Sequence, residues 1–274
     1  MTTPKITWEQ SVLSLRNRPN MQEFIRACYY DDPILQAAQR YHSSAEWQAV
    51  RRILPLKEEN ATVLDIGSGR GISAYAFARD GWSTFALEPD PSAVVGAAAI
   101  RNLYSEGGVM INVYQEWGES LPFVDAFFDV VHCRAVLHHA RDLGKFMLEV
   151  SRVLKPGGTF IGIREHVVSN HEDIAVFQER HPLHPLYGGE YAYLLDEYVN
   201  SISGAGLLLT QVLNPLESDI NTAPSTMKLT KVRWAARIGL PVLANFIPDG
   251  LLKMRASISD TPGRLYSFVA TKDC

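Results

Sequence analysis

A chain of 274 residues with 46% hydrophobic and 20% charged side chains has the composition of a globular protein with a full core, one large domain or two small ones. Its formal charge of −4 argues against broad binding to a nucleic-acid backbone, and the cluster Lys228, Lys231, Arg233 and Arg237 is too sparse to reverse that. Cys28, Cys133 and Cys274 stand far apart in no metal or redox spacing, Met1–Lys5 has no apolar signal core, and Ile238–Leu252 is broken by Pro241, Pro248 and Asp249. That stretch is also shorter than the roughly 20 residues of a spanning helix. A soluble, cytoplasmic protein is expected.

Residues 7–56 read as helices. Asp32-Pro33 has the form of an N-cap followed by proline at the first helical position. Ser44 can cap a second helix carrying Trp47, Val50, Ile53 and Leu54 on one face, and Pro55 ends it. From Ala61 the texture alternates. Strands are expected at 61–66, 83–88, 109–115, 127–133 and 158–164, with helical stretches at 70–80, 91–104 and 142–154. Strands separated by helices imply right-handed βαβ units and a parallel sheet. Pro156-Gly157-Gly158 reads as the turn that launches the fifth strand. Beyond residue 165 the spacing predicts a helix at 192–204, a strand at 207–213, a partly helical insertion over 215–262 and a last strand at 267–271.

Val63-Leu64-Asp65-Ile66-Gly67-Ser68-Gly69-Arg70-Gly71 is the most informative segment. A buried strand breaks into a glycine turn at a helix N-terminus, a shape suited to a nucleotide-like ligand. The dinucleotide fingerprint G-x-G-x-x-G would need glycine at position 72, which is Ile72, so a nicotinamide-dependent oxidoreductase is the weaker reading. In an open parallel sheet, ligands bind beyond the carboxyl ends of the strands. There the second strand offers Glu88, seventeen positions after Gly71, where an acid can hold both hydroxyls of a ribose. The third ends near Glu116-Trp117-Gly118, the fourth leads into Arg134 and His138-His139, and the fifth ends at Arg164-Glu165-His166.

The run from about 61 to 166 resembles the class I S-adenosylmethionine-dependent methyltransferases, especially the small-molecule branch that includes quinone-biosynthesis enzymes. The segments that carry the resemblance are Val63–Gly71, Leu87-Glu88-Pro89-Asp90, Ser120-Leu121-Pro122-Phe123, Phe128-Asp129-Val130-Val131, Leu137-His138-His139 and Arg152-Val153-Leu154-Lys155-Pro156-Gly157-Gly158, in the family's order. The resemblance implies a doubly wound, mostly parallel seven-stranded α/β sheet of the Rossmann-like methyltransferase type, closed by an antiparallel last strand. It implies S-adenosyl-L-methionine as cofactor and a small-molecule acceptor. Residues 1–56 would form a helical cap, 57–166 the cofactor-binding core, and 167–274 a substrate and lid region completing one catalytic domain.

By the same resemblance Asp65, Gly67, Ser68, Gly69 and Gly71 would hold the methionyl part, with Cys133 and Arg134 near its amine. Glu88 would take the ribose and Pro89 would lie beside the adenine. Where the family carries an acid and a small residue at the adenine edge, this chain has Trp117 and Gly118, with Glu116 or Glu119 as substitute acids. Asp129 opens the fourth strand at the end away from the ligand, where a structural duty is expected. His138 and His139 after the fourth strand, and His166 after the fifth, are the catalytic candidates, with His139 favoured for the cleft, because an imidazole titrates near neutrality. His181 and His184 lack a visible third ligand, so no metal is expected. Residues 181–193, with Tyr187-Gly188-Gly189-Glu190-Tyr191, suit a lid or substrate-pocket wall. Trp234, Ile238, Leu240, Val242, Leu243, Phe246, Leu251 and Leu252 predict an apolar surface used as core or subunit contact, with membrane docking the lesser option. A catalytically silent binder of the same cofactor remains an alternative, and the sequence leaves acceptor and oligomeric state open.

Overall fold

The computed structural model describes residues 6–237, 239, 241–257 and 259–273. Met1–Lys5, Ile238, Leu240, Ile258 and Cys274 therefore lie outside the described residues. Four helices lead the chain: α1 (Trp8–Arg16), α2 (Gln22–Ala27), α3 (Ile34–His42) and α4 (Ala45–Ile53). The alternating part follows as β1 (Thr62–Ile66), α5 (Ile72–Arg79), β2 (Ser83–Leu87), α6 (Ala97–Gly107), β3 (Ile111–Tyr114), β4 (Phe128–Arg134), a 3₁₀ turn at Leu137–His139, α7 (Leu143–Val153) and β5 (Leu154–Val168). Then come α8 (Glu172–Arg180), α9 (His184–Tyr187), β6 (Tyr193–Leu194), α10 (Leu195–Gly204), β7 (Leu207–Leu213), α11 (Asp219–Thr222), α12 (Met227–Arg237), α13 (Asp249–Ser257) and β8 (Arg264–Lys272).

The sheet runs β3-β2-β1-β4-β5-β8-β7, with β6 added beside β5. Pairing is parallel from β3 to β5, and β8 runs antiparallel between β5 and β7. The order reverses at β1, whose neighbours β2 and β4 lead to opposite sides. A crevice opens at such a point beyond the carboxyl ends of the strands. The central strands are apolar on both faces because helices cover both. Val63 and Val130 face a core with Trp47, Phe77 and Ile100 from α4, α5 and α6, while Leu64 and Val131 face one with Met147, Val150 and Tyr198 from α7 and α10.

Several details depart from the sequence expectations. Among the described residues the sheet has eight strands rather than seven, because Tyr193-Leu194, expected to begin a helix, first pairs with Val167-Val168. Strand β5 is longer at both ends than 158–164, since β4 and β8 supply pairing partners along its flanks, with irregular register after Phe128 and after Gly162. Asp32 does not cap α3. The N-cap is Pro33, with no side-chain cap, because the Asp32 carboxylate is drawn to the guanidinium groups of Arg16 and Arg70. Ser44 does cap α4, accepting from Trp47 N at 3.1 Å. Asp129 accepts from Thr62 N and Oγ1 and from Lys155 Nζ, joining β1, β4 and β5 at the end remote from the crevice.

Within 215–262, Val242 and Phe246 are exposed, whereas Leu252 is fully buried. No helix among the described residues is long and apolar enough to cross a membrane.

Trp47 anchors the N-terminal helices to the sheet. It is fully buried, packs edge-on to Phe77 at 4.8 Å between ring centres, and donates its indole N–H to Asp80 at 3.0 Å. Trp47→Ala removes the ring and one donor to Asp80, which keeps its bonds to Arg51 and His42. A loss of about 3–5 kcal/mol in urea-unfolding free energy is expected; a loss under about 1 kcal/mol would contradict this account.

Candidate active site

A cleft of about 940 Å³ lies where β1, β2 and β4 end, walled by α1, α2 and the 181–190 segment. Three hydrogen bonds pin the turn after β1. Ser68 N donates to Leu87 O at 3.1 Å, Gly69 N donates to Glu88 Oε2 at 2.7 Å, and the Ser68 hydroxyl donates to Asp65 Oδ2 at 2.6 Å. Gly67 holds φ at +62°, and a Cβ there would lie 2.5 Å from Val136, so only glycine lets the turn close beneath that side chain. The other oxygen of Asp65 pairs with His132 Nδ1 at 2.7 Å on the adjacent strand, and both side chains are buried. His132 was invisible as a partner because the two positions are 67 residues apart.

Of the residues expected to meet a cofactor, Asp65, Gly67, Ser68, Gly69, Glu88, Pro89, Trp117, Gly118 and Arg134 line this cleft. Gly71 and Cys133 do not. Gly71 is the left-handed N-cap of α5, backed by Ile100, and Cys133 is fully buried in the core on one face of the sheet. Trp117 is half exposed beneath the Arg141 guanidinium, 4.8 Å from its ring centre. Of the two acids beside it, Glu119 lines the cleft, and its carboxylate accepts from Arg141 N at 2.8 Å. Arg134 turns back on the helical cap, making two hydrogen bonds to buried Glu46 and lying over the rings of Tyr29 and Tyr41. Burial opposes ionisation of Glu46, but the charges of Arg134 and Arg164 outweigh it and hold its pKa below the ordinary value.

At the opposite end the three catalytic candidates meet. His138 lies 4.2 Å from His139, tilted, and 4.8 Å from His166, edge-on, between ring centres. Buried Glu165 accepts from Val136 N, His138 N and His138 Nδ1, fixing the loop after β4. Glu190, from the segment before β6, brings Oε2 to 3.6 Å from His138 Nε2 and 3.8 Å from His139 Nε2. Burial disfavours a charged His138, yet Glu165 and Glu190 overcome it and raise its pKa to about 9. His139 is lowered to about 4 by desolvation and by the neighbouring His138 charge, although 38% of its side chain stays accessible in the cleft. Glu165, Glu190 and His181, all at this cluster, were not among the catalytic candidates; Glu165 was read only as a polar strand end, and His181 and Glu190 only as part of the 181–193 pocket wall. Glu165 and Glu190 lay beside singled-out histidines and tyrosines, but nothing local marked them as partners of His138.

The three-layer fold, the reversal at β1 and the pinned glycine turn define a Rossmann-like protein with a nucleoside-sized crevice. Residues 64–162 match the family model of a methyltransferase domain, and this segment is similar to class I S-adenosylmethionine-dependent methyltransferases. The methyltransferase YcgJ of Bacillus subtilis is 36% identical over 99 residues, covering 36% of this chain and 38% of that protein. A ubiquinone biosynthesis O-methyltransferase of Azorhizobium caulinodans is 32% identical over 111 residues, 40% of this chain and 42% of that protein. The matched segments thus span about two fifths of these relatives. The crystal structure of YcgJ superposes with a TM-score of 0.56 at 22% identity, covering 84% of this chain and 98% of that one. Phosphoethanolamine N-methyltransferase 2 of Haemonchus contortus, in complex with S-adenosyl-L-methionine, gives a TM-score of 0.59 at 20% identity, with 92% and 60% covered.

Glu88 supplies a pH test. Desolvation pushes its carboxyl up to about 7, against the lowering pull of the Gly69 and Asp90 N–H groups. Between the ordinary carboxylate range and pH 7 the folded state therefore holds a proton that the unfolded chain has lost, so stability falls as pH rises through that window. Glu88→Gln should raise the melting temperature of the ligand-free protein at pH 8 and lose most of that advantage near pH 4.5. An advantage equal at both pH values would refute the burial assignment.

Proposed function

We propose that this chain transfers a methyl group from S-adenosyl-L-methionine to an oxygen, nitrogen or carbon of a small-molecule acceptor. The observation that carries the reading is the cleft itself, with Glu88 beside the glycine turn at one end and the His138–His139–Glu190 cluster at the other. Glu88 binds the ribose hydroxyls with its carboxylate and Pro89 flanks the adenine. The backbone of Gly67, Ser68 and Gly69, and that before Arg134, holds the methionyl group. Gly118 and Glu119 serve the adenine edge, and Trp117 covers it. Asp65, with both oxygens occupied by Ser68 and His132, acts by shaping the turn.

The sulfonium methyl is already activated, so the protein's main task is alignment, which can supply on the order of 7–11 kcal/mol. The sulfur–methyl bond breaks as the acceptor–methyl bond forms, leaving S-adenosylhomocysteine. His139 donates Nδ1–H to Gly189 O at 3.0 Å, which leaves the Nε2 lone pair for a proton leaving a hydroxyl or ammonium acceptor. His138 and His166 position that ring and close the wall behind it. The helices before residue 57 and the segments after 166 cap the crevice and choose the acceptor, with 181–193 as its lid. The two described cysteines are free thiols, in keeping with a cytoplasmic setting.

Calorimetry with S-adenosylhomocysteine tests the cofactor assignment. Glu88→Ala removes charge-assisted hydrogen bonds of about 1.5–3 kcal/mol, so affinity should fall roughly ten- to 150-fold with far-UV circular dichroism unchanged. Unchanged affinity would overturn the ribose role. Release of S-adenosylhomocysteine with acceptors bearing phenol, hydroxyl or amine groups tests transfer; tight binding with no turnover on any of them would identify a silent binder instead.

A further inference from the structure

We propose that the inner end of this cleft is a divalent transition-metal site, with His138 Nε2, His139 Nε2 and Glu190 Oε2 as ligands. The three atoms lie within 4.8 Å of one another. Glu190 Oε2 stands 3.6 and 3.8 Å from the two nitrogens, which is too far for hydrogen bonds. Those separations are close to the edge of a tetrahedron, where ligands about 2.1 Å from zinc stand about 3.4 Å apart. A small closure of the two imidazoles would bring the third edge into range.

The surroundings have the form of a ligand-orienting shell. A metal-binding histidine characteristically gives its other ring nitrogen to a carboxylate or a backbone carbonyl, which fixes its tautomer and direction. His138 Nδ1 meets Glu165 at 2.8 Å, and His139 Nδ1 meets Gly189 O at 3.0 Å, so each ring turns Nε2 toward Glu190. Tyr187 Oη donates to Glu190 Oε1 at 2.6 Å, holding the carboxylate with Oε2 facing the imidazoles. A separate observation points the same way. His181 Nδ1 is buried without a hydrogen-bond partner, 3.6 Å from Glu190 Oε1, so the cluster holds an unsatisfied buried nitrogen beside its three candidate ligands.

Two imidazoles and one carboxylate select zinc, iron, cobalt or nickel over magnesium and calcium, which prefer all-oxygen shells. His139 is accessible in the cleft, so a bound ion keeps coordination positions open on that side. With the ion in place His139 Nε2 is a ligand rather than a free base, and an acceptor with an oxygen or nitrogen donor would enter the open positions and lose its proton to solvent as the ion lowers its pKa. This placement beside the transferred methyl rests on the methyltransferase reading; the ion site itself rests on the side chains alone.

The test uses the untagged full chain, stripped with a chelator and titrated with Co²⁺, whose visible absorption intensifies on four- or five-coordinate binding. One Co²⁺ per chain, displaced by Zn²⁺, is expected. Glu190→Gln and His139→Gln should each weaken Co²⁺ binding at least ten- to 100-fold with unchanged far-UV circular dichroism. No absorbing complex in the folded wild type, or a complex indifferent to both substitutions, overturns the site. Calorimetry with S-adenosylhomocysteine on the metal-free protein keeps the two readings apart. Nucleoside binding without a cobalt complex removes the metal site alone, and a cobalt complex without nucleoside binding keeps the site but removes its link to methyl transfer.

Discussion

The carboxylate of Glu88 accepts the N–H of Gly69, and that bond joins the end of one strand to the turn that leaves its neighbour. With Leu87 O holding Ser68 N, and Asp65 holding the Ser68 hydroxyl, the glycine turn is fixed by three hydrogen bonds before any ligand arrives. Such preorganisation spares a ligand the cost of ordering the loop. It has a cost in the empty protein, because a carboxylate this buried is desolvated with only two N–H groups to compensate. The tension between a stable apo fold and a charged binding group is concentrated at this one residue.

Arg134 shows the same economy at the next strand end. Its expected station was beside the amine of a bound cofactor, and it lines the cleft, but its charge is spent on Glu46, 88 residues earlier. A buried ion pair of this kind contributes little net stability, and it punishes the loss of either member, about 3–5 kcal/mol when one charge is left alone. Its main effect here is geometric. The pair ties α4 of the helical cap to the carboxyl end of β4, so the cap and the cleft wall form a connected unit.

The sequence made the alternating core legible because two physical signals coincide there. Apolar runs of strand length alternate with helical spacing, and every strand between 61 and 166 ends in a glycine or polar group at the side where ligands bind. Val63–Gly71, Glu88 and His138-His139 could all be read locally. What could not be read were partners brought together over long separations: His132 with Asp65, Glu165 with His138, and Glu190 with the two imidazoles. A buried acid is a poor prior from sequence, since acids are mostly solvated. Asp32 failed as a cap for a related reason: its local geometry suited α3, but two distant guanidinium groups bound it more strongly. Likewise Tyr193-Leu194 has the apolar spacing of a helix start and becomes a strand because β5 extends far enough to pair with it.

Glu165 is a fully buried side chain that alone satisfies three donors on the loop after β4, two of them main-chain amides. No shorter or neutral side chain can serve all three, because only a carboxylate at that reach offers enough lone pairs. Drift at this position is therefore closed to nearly every alternative amino acid, whatever happens to the acceptor.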